Sequence, residues 1–333
     1  MGFPERAMDV RRSAGSMLIE TFFNTATRLG RLHPSHRDTS VERLGDLPYR
    51  EGSGAAHRLD VYRPRERSGP LPVVIYIHGG SFRVLSKDSH WVMGVQFAKA
   101  GHICFNLNYR LAPKNPFPAA LEDVADALQW VVEHAALYGG DPSQLMIAGE
   151  SAGANLTCAL TAAACMDLDH PVAERVRALD VVPQVILPAC GILEVTRPER
   201  FETDPRVKSW LVMDRIRNVS RSYTPEWSPG GDSIPLADPL VLLEGDTPLL
   251  RPWPATFVGC GDVDPIADDS ERLAKALWRR NATAELVWYA DQPHAFQMLI
   301  WRDEAKQFWS DSFRFISEHN TGAQASEFAS EGS

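Results

Sequence analysis

An α/β fold, a mostly parallel central sheet flanked by helices, is what this 333-residue chain predicts. Two observations carry the expectation. Short continuous apolar runs rich in β-branched and aromatic residues recur along the sequence, and helix-like stretches separate them, which implies parallel strands covered on both faces. The composition, 44% hydrophobic and 23% charged, is that of an ordinary globular chain. At this length a single α/β core with insertions suffices.

The elements follow in order. Residues 1–40 read as helical and amphipathic, with Met17, Leu18, Phe22, Phe23 and Leu29 at helical spacing. From about residue 41 the pattern changes, and Arg58 to Tyr62 alternates before Pro64, which suits an early antiparallel strand. Val73–Ile77 and Ile103–Leu107 are the first continuous runs, followed by Leu145–Ala148, Val182–Leu187, Ala255–Cys260 and Glu285–Tyr289. Helices are expected at 88–100, 118–137, 151–165, 268–280 and 303–318. Residues 195–235 hold Arg, Pro, Trp and Gly without a clear strand; an inserted lid is the reading, with a long connection as the plainer alternative. The main α/β domain is taken as 46–319, and the small polar tail 320–333 is expected to be disordered.

Bulk properties exclude several roles. A formal charge of −9 and a pI near 5.6 argue against nucleic acid or an anionic membrane as a main partner. No apolar run approaches the ~18 residues of a transmembrane helix, and Met1 to Gly30 lacks a signal-peptide apolar core. The 5 cysteines are an odd number in mostly apolar settings, which fits buried free thiols in a reducing cytoplasm. His33 and His36 have a metal-like spacing but lack acidic or Cys partners, so no metal site is expected there.

The chemistry centres on Gly149-Glu150-Ser151-Ala152-Gly153. An apolar run precedes it and a helix-forming run follows, so Ser151 sits on a strand-to-helix turn that pushes its hydroxyl into a cleft. Such a hydroxyl needs a base, and the base needs an acid to orient it. His294 follows the last strand-like run and Asp264 the preceding one, with Asp262 the alternative acid. The oxyanion of a tetrahedral intermediate needs donors, and Gly79, Gly80 and Ser81 follow the run at 73–77. Backbone N–H groups of Gly80 and Ser81, joined by Ala152, are the expected donors. His78 is expected to brace that loop rather than transfer protons.

These motifs resemble those of the hormone-sensitive-lipase family of α/β-hydrolases, which includes the bacterial family IV esterases. The resemblance rests on His78-Gly79-Gly80, Gly149 to Gly153, Asp264-Pro265-Ile266, His294-Ala295-Phe296 and the long segment Tyr109 to Asp123, and it covers residues 45–318. It implies a serine carboxylesterase with no cofactor, acting on short- to medium-chain esters. It also implies a helical cap built from the N-terminal segment, 1–45, and the insertion at 195–235. Trp210, Met213 and Trp227 of that insertion, with Phe82 and Glu150 beside the motifs, would then line the substrate pocket. The 285–289 run would be a sheet edge on which a homodimer could form.

Three positions depart from the family pattern: Ser81, Ala154 and Ala295 stand where glycine is usual. All three are expected to add bulk near the cleft, and a positive φ at Ser81 would cost about 1–2 kcal/mol. Two other readings remain: an amide or lactone hydrolase using the same acyl-enzyme chemistry, and a small-molecule receptor on the same fold.

Overall fold

The computed structural model describes residues 39–52, 54–226 and 232–320. Their strands are β1 (Val41–Pro48), β2 (Arg58–Pro64), β3 (Leu71–Ile77), β4 (Ile103–Leu107), β5 (Gly140–Glu150), β6 (Val185–Ala189), β7 (Ala255–Gly261) and β8 (Ala284–Tyr289). One sheet holds them in the order β1-β2-β4-β3-β5-β6-β7-β8. Pairing is antiparallel for β1 with β2 and β2 with β4, and parallel from β4 through β8.

The helices are α1 (Trp91–Lys99), α2 (Ala119–His134), α3 (Ala152–Cys165), α4 (Pro171–Ala178), α5 (Trp210–Tyr223), α6 (Pro239–Glu244), α7 (Ala267–Arg279) and α8 (Asp303–His319). Strand pleating assigns them to two layers, because successive side chains point to opposite faces. Val73, Ile75, Ile77, Phe105 and Ile147 pack in one apolar cluster with α2 and α3. Val74, Tyr76, Cys104, Met146 and Ala148 pack in a second with α1 and α8. β3 to β7 are thus buried on both faces, the physical reason they read as unbroken apolar runs, whereas the edge strand β8 is mostly half-buried.

Differences from expectation lie at the margins. Val41–Pro48 pairs with β2, so sheet structure starts ahead of the expected boundary at 45/46. The 195–235 insertion contains a 3₁₀ turn, Pro198–Thr203, and the helix α5. Met213, Ile216, Val219 and Tyr223 of α5 pack into the α2–α3 cluster, so the insertion is fastened to the core. The helix expected over 1–40 and the tail beyond 320 fall almost wholly outside the described residues. Among the described residues, no helix is long and apolar enough to cross a membrane.

Candidate active site

Every motif singled out by the sequence lies on a loop leaving the carboxyl end of a strand. Gly79 to Phe82 follow β3, Ser151 follows β5, Asp264 follows β7 and His294 follows β8. Cys190, which no motif flagged, follows β6.

Ser151 is the turn between β5 and α3, at φ 55 and ψ −116. This is a strained conformation for a residue with a Cβ. Its N–H donates to Ala189 O at 3.0 Å, tying the turn to the end of β6. The flanking glycines are sterically required: a Cβ on Gly153 would lie 2.0 Å from Ile77 O, and one on Gly149 would lie 2.6 Å from Gly153 C. The turn can therefore press against β3 only with bare backbone at both positions.

Asp264 is completely buried, and its Oδ1 accepts from Ile266 N at 2.9 Å. Its Oδ2 accepts from His294 Nδ1 at 2.7 Å. Asp262 instead accepts the Asp291 N–H at 2.7 Å, shaping the loop ahead of His294, so geometry selects Asp264 as the histidine's partner. Burial works against charge on His294, but the Asp264 carboxylate and the Cys190 sulfur outweigh it, holding this imidazole well above its ordinary value. Cys190 Sγ, an Asp264 oxygen and a His294 ring nitrogen lie within 4.8 Å of one another. Ser151 and His294 share no hydrogen bond among the described contacts; they leave the same carboxyl edge of the sheet, from β5 and β8, with β6 and β7 between them.

The β3 loop turns sharply. Gly80 has φ 109, and Ser81 and Phe82 follow at 59 and 58. Among the described contacts, the N–H groups of Gly80, Ser81 and Ala152 donate to no protein acceptor, so all three remain available to a ligand. Gly79, placed with the oxyanion loop by the sequence, is not a free donor, because its N–H already donates to Glu150 Oε1 at 2.5 Å. Ser81 carries a left-handed φ without glycine's freedom. Ser81→Gly is expected to relieve that strain, raising stability by about 0.5–1 kcal/mol after the added unfolded-chain entropy. Denaturant unfolding measures it; an unchanged or lower midpoint would show the loop to be unstrained.

Glu150 corrects a second expectation. Its side chain does not line a pocket: the residue is 2% exposed and faces the α1 layer. Oε1 lies 2.6 Å from His90 Nε2, and Oε2 accepts the Tyr76 hydroxyl. Burial opposes both charges, yet mutual attraction raises His90 and, with bonds from Tyr76 and Gly79, lowers Glu150, both in the direction of the ionised pair. His78 stacks between Tyr109 and His90, with ring centroids at 4.3 and 5.5 Å. Its Nδ1 contacts Gly79 O at 2.6 Å, and burial with the nearby His90 charge drives its pKa down to about 3. His78 is thus a neutral brace, as the sequence suggested, while Glu150 and His90 pin the start of the loop to the serine turn.

The remaining pocket candidates separate. Phe82 is fully buried and stacked on Tyr223 of α5, with centroids 3.6 Å apart, so it joins the insertion to the loop rather than lining a cavity. Met213 is buried, Trp210 is 67% exposed on the first turn of α5, and Trp227 lies outside the described residues. Ala154 is buried, and a Cβ built on Gly191, in the loop after β6, would lie 3.0 Å from the Ala154 Cβ, so Ala154 packs against that loop. Ala295 has φ 58 and half-buried contacts beside His294.

Sheet order, strand directions and the placement of every polar group on carboxyl-end loops define an α/β hydrolase. The profile of that fold family matches residues 74–298. The chain is 31% identical over 260 residues to the carboxylesterase NlhH of Mycobacterium tuberculosis, spanning 78% of this chain and 73% of that one. It is 35% identical over 262 residues to the probable carboxylic ester hydrolase LipM of the same species, spanning 77% and 56%. The crystal structure of esterase LipW from Mycobacterium marinum superposes with a TM-score of 0.73 at 24% identity, over 91% of this chain and 90% of that one. The chain belongs to the α/β-hydrolase family and is a carboxylic ester hydrolase.

Proposed function

We propose that the enzyme is a serine carboxylesterase in which Ser151 is the nucleophile, His294 the general base and Asp264 the group that orients it. The observation that carries this is the 2.7 Å Asp264–His294 bond on the loops after β7 and β8, with Ser151 on a strained turn after β5 at the same end of the sheet. Ser151 Oγ attacks the ester carbonyl while His294 takes its proton. The N–H groups of Gly80, Ser81 and Ala152 receive the oxyanion. The intermediate collapses as His294 returns the proton to the leaving alcohol, and water releases the acyl group by the same route. A fluorophosphonate probe tests this: intact-protein mass should gain one adduct, located at Ser151 and absent from Ser151→Ala. Labelling at another residue would overturn the assignment.

Catalysis by this route needs neutral His294, so kcat/KM should rise with pH through the elevated imidazole pKa. The acid limb is expected above the ordinary 6.5. Asp264→Asn removes the carboxylate that holds the proton on, so the limb should move down while the rate falls. A limb that stays in place would mean another group sets it.

We assign short- to medium-chain acyl esters as substrates, since the Ser81 side chain stands on the oxyanion loop and Tyr223 closes against Phe82 beside it. A p-nitrophenyl ester series should show kcat/KM falling from butyrate to laurate. A maximum at the longest chains would reverse this reading.

A further inference from the structure

The loop after β6 brings a soft ligand to the histidine–carboxylate pair. Cys190, Asp264 and His294 each offer one donor atom, mutually within 4.8 Å. Zinc bonds of about 2.0–2.3 Å at a tetrahedral angle place donors about 3.3–3.5 Å apart, so movements of about 1 Å would close the three around one ion. The set is mixed sulfur, nitrogen and oxygen, the donor chemistry that zinc and cobalt(II) favour over magnesium or calcium. Asp264 is pre-oriented, because its other oxygen is held by Ile266 N at 2.9 Å. Cys190 is fixed by a backbone bond from its N–H to Gly259 O at 3.3 Å, and the Gln297 amide approaches its sulfur at 3.8 Å. Cys190 and Asp264 are buried, but the His294 side chain is 35% exposed, which leaves an entry route along the ring.

We propose that Cys190, Asp264 and His294 form a binding site for a thiophilic divalent cation, and that occupancy reversibly switches the esterase off. The ion would displace the Cys190 thiol proton. If it takes Nδ1, it also displaces the proton shared with Asp264, and the remaining imidazole proton must sit on Nε2, leaving no lone pair to receive the serine proton. If it takes Nε2, it occupies the base directly. Either mode stops turnover without touching Ser151. The loss of activity, though not the site itself, rests on His294 being the general base.

The test uses the whole enzyme with two probes. Zinc chloride should inhibit ester hydrolysis, EDTA should restore it, and the half-inhibiting concentration should fall as pH rises because protons are released. Relative to its own uninhibited rate, Cys190→Ala should need at least about 30-fold more zinc. Cobalt(II) should give a thiolate-to-metal charge-transfer band with the parent enzyme and none with Cys190→Ala. Equal zinc sensitivity in Cys190→Ala, or no thiolate band in the parent, overturns the site. A cobalt band without inhibition would uphold the site and refute His294 as the base.

Discussion

Ser151→Ala is expected to lower kcat on a p-nitrophenyl ester by about 10⁴-fold or more while leaving the fold intact. The substitution keeps a Cβ at φ 55, so backbone strain at the turn is unchanged. The backbone bonds that place the turn, Ser151 N to Ala189 O and Asn155 N to Ser151 O, survive as well. What disappears is the one atom that would become acylated. Turnover would then depend on water attacking an ester held by the oxyanion loop, which accounts for the residual rate such variants show. Steady-state kinetics and circular dichroism on the same preparation measure both halves. Near-normal turnover in a folded variant would eliminate the acyl-enzyme route.

His90→Leu is expected to destabilise the protein by about 3–5 kcal/mol, since it leaves the Glu150 carboxylate buried without its counter-charge. The same change should lower kcat more than it raises KM, because Glu150 then has less reason to hold Gly79 N–H where the loop requires it. Adding Glu150→Met should recover much of the stability, as apolar replacement of a whole buried pair often does. It should not recover kcat, since Gly79 then has no acceptor. A double variant as unstable as the single one would show that the pair is not the source of the loss. The pH dependence has a definite sign. The raised His90 contributes stability fully below its unfolded value of 6.5, lost as pH climbs through the folded one. The lowered Glu150 contributes fully above 4.5, lost as pH drops through its folded value. The contribution of the pair is therefore greatest between those unfolded values and fades on both sides.

How far the sequence foretold this depends on burial. Parallel strands covered on both faces announce themselves as apolar runs, so β3 to β7 were legible, and the half-buried edge strand β8 was read from its apolar run Leu286 to Tyr289. β1 was not: its residues are largely exposed, Asp46 sits at φ 59, and the ladder with β2 is irregular between Leu44 and Leu47. The helix α5 did leave a signal, with Ser209 Oγ capping Val212 N at 3.3 Å and buried residues at helical spacing. The surrounding Pro, Gly and Trp obscured it. Glu150 was misplaced for a different reason. It adjoins Ser151 in sequence, but it is the last residue of a strand, and its side chain turns to the α1 face of the sheet, where His90 and Tyr76 hold it. The identity of the acid was open between Asp262 and Asp264 because spacing alone cannot say which carboxylate turns inward. Cys190 carried no motif; only sheet order, with β6 beside β7, brings it to Asp264 and the histidine.

The polarity of the sheet also gives the molecule a chemically silent rim. All the groups discussed as reactive leave carboxyl ends, whereas the turns entering β4, β6 and β8 hold exposed residues such as Ala100, Asp180 and Asn281. Asp180 and Asn281 already adopt left-handed turn geometry at φ 53 and 55. A tether or fused partner attached at that rim would leave the cleft facing open solution, so the enzyme can be immobilised from behind without shielding the ester entrance.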